Sequence, residues 1–330
     1  MDKTDIEPTS QVISEDGSNW GKSHNWNWQG IRSHWRVLGE NNQQTILLLH
    51  GFGASSSHWR KNAQPFVDAG FKVYGLDLIG FGASEQPNRK TIRKLDNYVW
   101  SQQVSAFLEE VVQSNKNRKT ILIGNSLGGL TALTTLFFRP QLVAAVIAAP
   151  LPDPAFMQQS KSSYSLWAKN LSDFLLKVFF ELLPLEILIP LISRTCLIKK
   201  ALQIAYYESI DSDKELLRMI SKPAQKRTAA RALRSMCIGM STRRKEYTAP
   251  ILINKLEDRD DRSPILLIWG RQDKLVPLRI GKQLIGEHPW LNLFVLEKTG
   301  HCPHDELPNE FNQYVLKWLD TNLGGDNQLA

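Results

Sequence analysis

Three residue types, in one chain order, would build an acyl-transfer site here. Ser126 lies in Gly124-Asn125-Ser126-Leu127-Gly128, a G-x-S-x-G pattern. The apolar run TILI precedes it and the helical stretch LGGLTALTTLFF follows. A serine on such a sharp strand-to-helix turn is presented as a nucleophile, and the helix N-terminus favours developing negative charge. A serine hydroxyl needs a base to take its proton and an acid to orient that base. His301, in KTGH, and Asp273, in WGRQD, each follow an apolar run and supply these parts. Two backbone amides would complete an oxyanion hole. One is that of Leu127, next after the serine. The other is that of Phe52, in the segment HGFGA.

Each residue also has a plainer reading. A lone loop histidine is ordinarily polar surface, and Asp273 could simply cap a helix starting near Leu275. Asp153, after another apolar run, is a rival acid. His50 reads as a buried, hydrogen-bonded residue that shapes its loop, not as a base. His301 and His304 sit three apart, but Pro303 between them and the lack of an HExxH pattern argue against a metal pair. Cys302 reads as a small loop residue. The glycine-rich loop at 51–53 has neither GxGxxG nor GxxxxGK[ST], which argues against nucleotide binding. No cofactor or metal is implied.

These residues need strands to hold them. Strand-length apolar runs fall at 45–49, 71–76, 120–123, 142–148, 264–269 and 291–296, and their continuity suits strands buried on both faces of a parallel sheet. Helical patterns intervene at 57–69, 96–114, 127–138, 278–288 and 308–322. Segment 30–39 alternates and predicts an antiparallel edge strand or hairpin. This alternation predicts an α/β fold, a mostly parallel central sheet with helices on both faces. In such sheets the loops at strand carboxyl ends carry the chemistry. Residues 151–250 break the rhythm and predict an inserted helical cap. The core is then 19–150 with 251–323, behind a disordered segment at 1–18 and before a tail at 324–330. The letters GFGAS occur at 51–55 and again at 80–84, which predicts two similar turns and not a duplicated domain.

Composition sets the remaining bounds. The chain has 330 residues, 42% hydrophobic and 22% charged, as in ordinary globular proteins. Forty Lys and Arg against 33 Asp and Glu give a net charge of +7, which permits contact with anionic surfaces without demanding it. Three widely spaced cysteines and no CxxC pair argue against a disulfide scaffold or a zinc ribbon. The first residues have no basic-then-apolar leader, and no apolar run is long enough to span a bilayer. The expectation is an intracellular protein, cytoplasmic or peripherally bound to membrane, that is not secreted.

The set HGFGA, DLIGFGAS, GNSLGG, WGRQD and GHCPHDE resembles the α/β-hydrolase superfamily over roughly residues 28–322. Ser126 stands where the dehalogenase and epoxide-hydrolase branches carry aspartate, so the resemblance is to the serine branch. WNWQGI at 26–31, read as lying before the fold, HGFGASSSHWRKN at 50–62, DLIGFGASEQP at 77–87 and the Asn-Ser pair of the elbow are similar to the pheophytinase and chlorophyll-dephytylase group. That resemblance implies hydrolysis of a carboxylic ester of a bulky hydrophobic substrate, with the phytyl ester of chlorophyll or pheophytin as the candidate. The alternatives are hydrolysis of a carbon–carbon bond by the same triad, or a ligand receptor on a hydrolase fold.

Two features bear on partners. In 171–191, Phe174, Leu175, Val178, Phe179, Leu182 and Leu183 recur at helical spacing. They predict a cap helix packed on the core that could line a site for a long apolar chain or rest on a membrane. Residues 222–245 hold eight Lys or Arg and no acid, read as a solvated or lipid-facing helix face. Nucleic acid is not an expected partner, because no recognition motif accompanies the charge.

Overall fold

The computed structural model describes residues 20–87, 92, 94–158, 185–187, 189, 196–226 and 228–324. Among the described residues eight strands form one sheet. They are β1 (Lys22–Trp28), β2 (Ile31–Leu38), β3 (Gln44–Leu49), β4 (Phe71–Leu76), β5 (Thr120–Asn125), β6 (Val143–Ala149), β7 (Ile265–Gly270) and β8 (Asn292–Leu296). The spatial order is β1-β2-β4-β3-β5-β6-β7-β8. The first two strands pair antiparallel and β2 joins β4 antiparallel. From β4 onward every pairing is parallel.

The parallel part follows from the apolar runs. Ile46 and Leu48 face one core, with Ile121, Ile123, Ala145, Ile147, Leu266 and Ile268. Leu47 and Leu49 face the other, with Leu122, Val146, Leu267 and Trp269. Alternate side chains of a strand point to opposite faces, so a run apolar at every position serves both. Helices α1 (Ala63–Asp68) and α11 (Pro308–Leu323) cover the first face through Phe66, Phe311, Val315 and Trp318. Helices α2 (Asn97–Phe107), α3 (Leu127–Phe138), α8 (Ala249–Glu257) and α9 (Leu278–Glu287) cover the second. Each fully buried large apolar side chain contributes about 1.5–3 kcal/mol of transfer free energy.

Several elements differ from the sequence expectation. The segment Trp26 to Ile31, inside the core expected at 19–150 but read as lying before the resembling motifs, is the end of β1 and the turn into β2, with Gln29 and Gly30 at positive φ. Trp26 and Trp28 pack into the core while Asn25 and Asn27 face solvent, because one face of this antiparallel pair is left uncovered. The helix expected at 57–69 is a 3₁₀ turn at Ser56–Trp59 and then α1. The one expected at 96–114 is α2 followed by a widened π-type turn at Leu108–Val112, which ends where Gln113 turns left-handed.

Between β6 and β7 the described residues hold helices and no strand: α4 (Ala155–Gln158), α5 (Cys196–Gln203), α6 (Lys214–Ala224), α7 (Ala229–Ser241) and α8. Phe174, Leu175, Val178, Phe179, Leu182 and Leu183 lie outside the described residues. The basic run does not form one solvated face. Arg243 is buried against Asp153, Arg234 pairs with Glu186, and Lys226 donates to the Gly82 carbonyl at 3.0 Å. Arg227 lies outside the described residues. Among the described residues no helix is long and apolar enough to cross a membrane.

Candidate active site

The elbow is built by close approach of β5 and α3. Ser126 stands between them at φ 51°, ψ −116°, a conformation side chains rarely adopt. A Cβ on Gly124 would lie 2.2 Å from the Gly128 carbonyl carbon, and one on Gly128 would lie 2.1 Å from the Leu49 oxygen. Only glycine at both positions lets the strand, the helix and the end of β3 meet. The Ser126 amide donates to the Ala149 carbonyl of β6 at 3.2 Å, which pins the turn to the sheet.

The three residues expected to cooperate do meet. His301 Nε2 lies 2.9 Å from Ser126 Oγ, and His301 Nδ1 lies 2.9 Å from Asp273 Oδ2. His301 and Asp273 are buried. Asp273 also caps a turn, though not a helix starting near Leu275, because α9 begins at Leu278 with Pro277 as its N-cap. Its Oδ1 accepts from the Leu275 and Val276 amides at 2.8 and 2.9 Å. One oxygen therefore fixes the carboxylate and the other faces the imidazole. With a carboxylate at Nδ1, that nitrogen carries the proton and Nε2 can accept one from the serine.

Asp153, the rival acid, is occupied elsewhere. It pairs with Arg243 and accepts from the Ala155 and Ala249 amides at 2.9 and 2.7 Å. It ties the chain leaving β6 to the start of α8. His50 is fully buried, with Nδ1 2.8 Å from the Gly51 carbonyl and Nε2 accepting from the Leu78 amide at 3.0 Å. Burial lowers its pKa, so it is neutral and joins the loop after β3 to the loop after β4. Neither His304 nitrogen has a hydrogen-bond partner, and its ring packs 4.2 Å from Trp59. Cys302 is buried, and burial raises its thiol well above the usual range. Among the described residues no group of three or more His, Cys, Asp or Glu could hold a metal ion.

The loop carrying Phe52 runs against Ser126, since a Cβ on Gly51 would sit 3.4 Å from Ser126 Cβ. Leu127 is the first residue of α3, so its N–H has no acceptor inside the helix. The two amides expected at an oxyanion hole thus belong to segments flanking Ser126.

A family model described as alpha/beta hydrolase fold matches residues 44–308. The chain belongs to the α/β-hydrolase family. Among its relatives, an uncharacterised hydrolase, YugF, of Bacillus subtilis is 23% identical, over 88% of this chain and 95% of its own. The 2-hydroxy-6-oxo-6-phenylhexa-2,4-dienoate hydrolase of Comamonas testosteroni is 26% identical, over 87% of this chain and 90% of its own. A thermophilic esterase from Thermogutta terrifontis shares the fold, with a TM-score of 0.64 at 18% identity over 88% of this chain and 94% of that one.

This α/β-hydrolase chain also uses residues that the sequence reading passed over. Asn125 Nδ2 donates to the Ala149 carbonyl at 2.6 Å and to the His301 carbonyl at 3.1 Å. Asp77 accepts from the Ser56 amide at 2.6 Å and the Ala83 amide at 2.8 Å. The Ala83 amide lies in the second GFGAS turn and the Ser56 amide directly follows the first, so one carboxylate clamps both segments. The repeated letters were the available signal, and only the fold shows what they converge on.

Proposed function

We propose that this hydrolase cleaves a carboxylic ester through a covalent acyl-enzyme. The observation that carries the reading is the unbroken hydrogen-bonded chain Ser126–His301–Asp273, at 2.9 Å for each link. In the first half-reaction Ser126 Oγ attacks the carbonyl carbon while His301 Nε2 takes its proton. Asp273 holds the imidazole in the accepting tautomer and stabilises the imidazolium. The Leu127 and Phe52 amides receive the oxyanion. As the intermediate collapses, His301 returns the proton to the departing alcohol oxygen. Water then attacks the acyl-enzyme, with His301 as base again, and releases the acid and the serine.

The substrate class is a bulky hydrophobic ester. Phe52, 54% exposed beside the nucleophile loop, supports an apolar entrance. The phytyl ester of a tetrapyrrole is the member of this class that the sequence resemblance suggests, and the curated relatives do not point to it. The activity in the name of the Comamonas relative favours a second reading, hydrolysis of a carbon–carbon bond in a ring-fission diketone by the same triad. The test is incubation of the protein and of Ser126→Ala with p-nitrophenyl esters of increasing chain length, pheophytin a and a ring-fission diketone. Ester cleavage that vanishes in Ser126→Ala supports the esterase. Diketone cleavage without ester cleavage replaces it with the second reading. Ester cleavage retained in Ser126→Ala sinks the acyl-enzyme mechanism.

A further inference from the structure

Three consecutive residues after α5 each grip the loop that carries His301. The Ala205 carbonyl accepts from the His301 amide at 2.7 Å. The Tyr206 hydroxyl donates to Asp305 Oδ2 at 3.0 Å and lies 2.8 Å from His58 Nε2. The Tyr207 amide donates to Glu306 Oε2 at 2.6 Å. The other oxygen of Glu306 accepts from the Gly300 amide at 2.9 Å and the Cys302 amide at 3.3 Å. The backbone N–H groups of Gly300, His301 and Cys302 are therefore all held, two by Glu306 and one by Ala205. Gly300 allows this approach, because a Cβ there would lie 2.6 Å from the Ala205 oxygen.

The grip is buried and anchored behind. Tyr206 and Asp305 are nearly inaccessible. Asp305 Oδ1 lies 3.2 Å from Lys61 Nζ and 3.4 Å from Arg60 Nη2. Arg60 Nη2 in turn reaches Asp213 at 2.5 Å, just before α6. Ala205, Tyr206, Ile210, Leu216, Met219 and Cys302 form their own small apolar cluster. None of these side chains hydrogen-bonds to Ser126; the Ala205 carbonyl and Glu306 hold the backbone from which the imidazole projects, and the others back them.

We infer that residues 205–207, acting through Glu306 and Tyr206, form a brace that sets the position of the His301 imidazole between Ser126 and Asp273. The inference rests on the proposed triad. Glu306 and Tyr206 are positioning residues: Glu306 holds the amides on either side of His301, and Tyr206 holds Asp305 four residues further on. A displacement of about 1 Å at a catalytic group costs on the order of 100-fold in rate. Loosening the brace therefore lowers the chemical step and spares substrate binding. Glu306→Gln is the sharper probe. It keeps the side-chain shape and one carbonyl oxygen, but turns an NH₂ toward the Tyr207 amide or toward the Gly300 and Cys302 amides. One half of the bridge is lost whichever way it sits.

The experiment uses the full chain with Glu306→Gln, Glu306→Asp and Tyr206→Phe. It measures the rate at which a fluorophosphonate labels Ser126, kcat and KM on a p-nitrophenyl ester, and the melting temperature. For Glu306→Gln the expected result is a 10- to 100-fold fall in both labelling rate and kcat, with KM within about threefold. Glu306→Asp recovers part of the rate, and Tyr206→Phe lowers kcat about tenfold with KM kept. Folded variants that label and turn over within twofold of wild type overturn the brace and leave the triad standing. So does a kcat loss that merely follows the unfolded fraction. A wild type that the phosphonate does not label at Ser126 overturns the triad, and the brace with it.

Discussion

Asn125 Nδ2 donates to the carbonyl oxygen of His301 at 3.1 Å, so the residue before Ser126 holds the backbone of His301. The same amide nitrogen donates to the Ala149 carbonyl at 2.6 Å. Asn125→Ala removes both bonds. The Ala149 oxygen keeps the Ser126 amide as a donor, and the loss falls mainly on His301. The expected outcome is about 1–3 kcal/mol of lost stability. A kcat fall of roughly tenfold, with little change in KM, accompanies it. Steady-state kinetics beside a urea titration would check it, and wild-type kcat in a folded Asn125→Ala would refute it.

Two buried aspartates follow apolar runs of similar kind, and the structure separates their work. Asp273 Oδ2 faces His301 Nδ1, whereas Asp153 spends its oxygens on Arg243 and two amides. Asp273→Asn should cut kcat by roughly 10⁴-fold with the fold retained, because the amide favours the wrong imidazole tautomer. Asp153→Asn should leave kcat per folded molecule within about threefold. It should cost about 3–5 kcal/mol, since it strips the partner from buried Arg243. Opposite results for the pair would move the acid to Asp153.

The glycines of this fold are not equivalent. A Cβ on Gly128 would sit 2.1 Å from the Leu49 carbonyl oxygen, against backbone that cannot yield without moving β3. Gly286, near the end of α9, has nothing within 4 Å of the same position. Gly128→Ala should therefore cost about 3 kcal/mol or more, or prevent folding. Gly286→Ala should raise stability by about 0.5–1 kcal/mol. Thermal melts of the two variants, expected on opposite sides of wild type, decide the matter.

The residues of the proposed triad were legible because each sits where an apolar run ends. Ser126, Asp273 and His301 follow β5, β7 and β8, and a parallel sheet carries all three strand ends to one edge. The parallel strands were equally plain, since a run apolar at every position has few other homes. What was illegible depends on approach between distant segments. Glu306 looks like an ordinary acid in a short helix until α5 delivers the Tyr207 amide to it. Strand β1 was missed because an edge strand with one polar face reads as loop. Asp77 was hidden because its partners, the His34 ring and the Ser56 and Ala83 amides, come from three separate segments that only the fold brings together.

Acid should destabilise this fold in two steps, and the buried groups set the order. Burial lowers the pKa of His50 below its ordinary 6.5. Burial, with His58 alongside, holds that of His304 well below it. The unfolded chain takes up these protons as pH falls through about 6.5 while the folded chain does not, so stability is lost from there downward. Each unit of depression contributes about 1.4 kcal/mol. Asp77 and Asp305 act lower. Burial opposes their charge, but His34 and His50 with the Ser56 amide for Asp77, and His58, Arg60 and Lys61 for Asp305, hold both carboxyls far below 3.8. The second loss therefore begins as the unfolded carboxylates protonate, near pH 3.8. Glu306 and Asp96 work the other way, because burial raises both, and the folded chain holds the extra proton between their ordinary and raised values. They soften the descent between the two steps. Urea titrations from pH 8 to 3 should show a falling midpoint below about 6.5 and a steeper fall below about 4. His304→Leu should flatten the first step, since neither ring nitrogen of His304 has a partner to lose. A first step of undiminished size in that variant would assign it to other histidines.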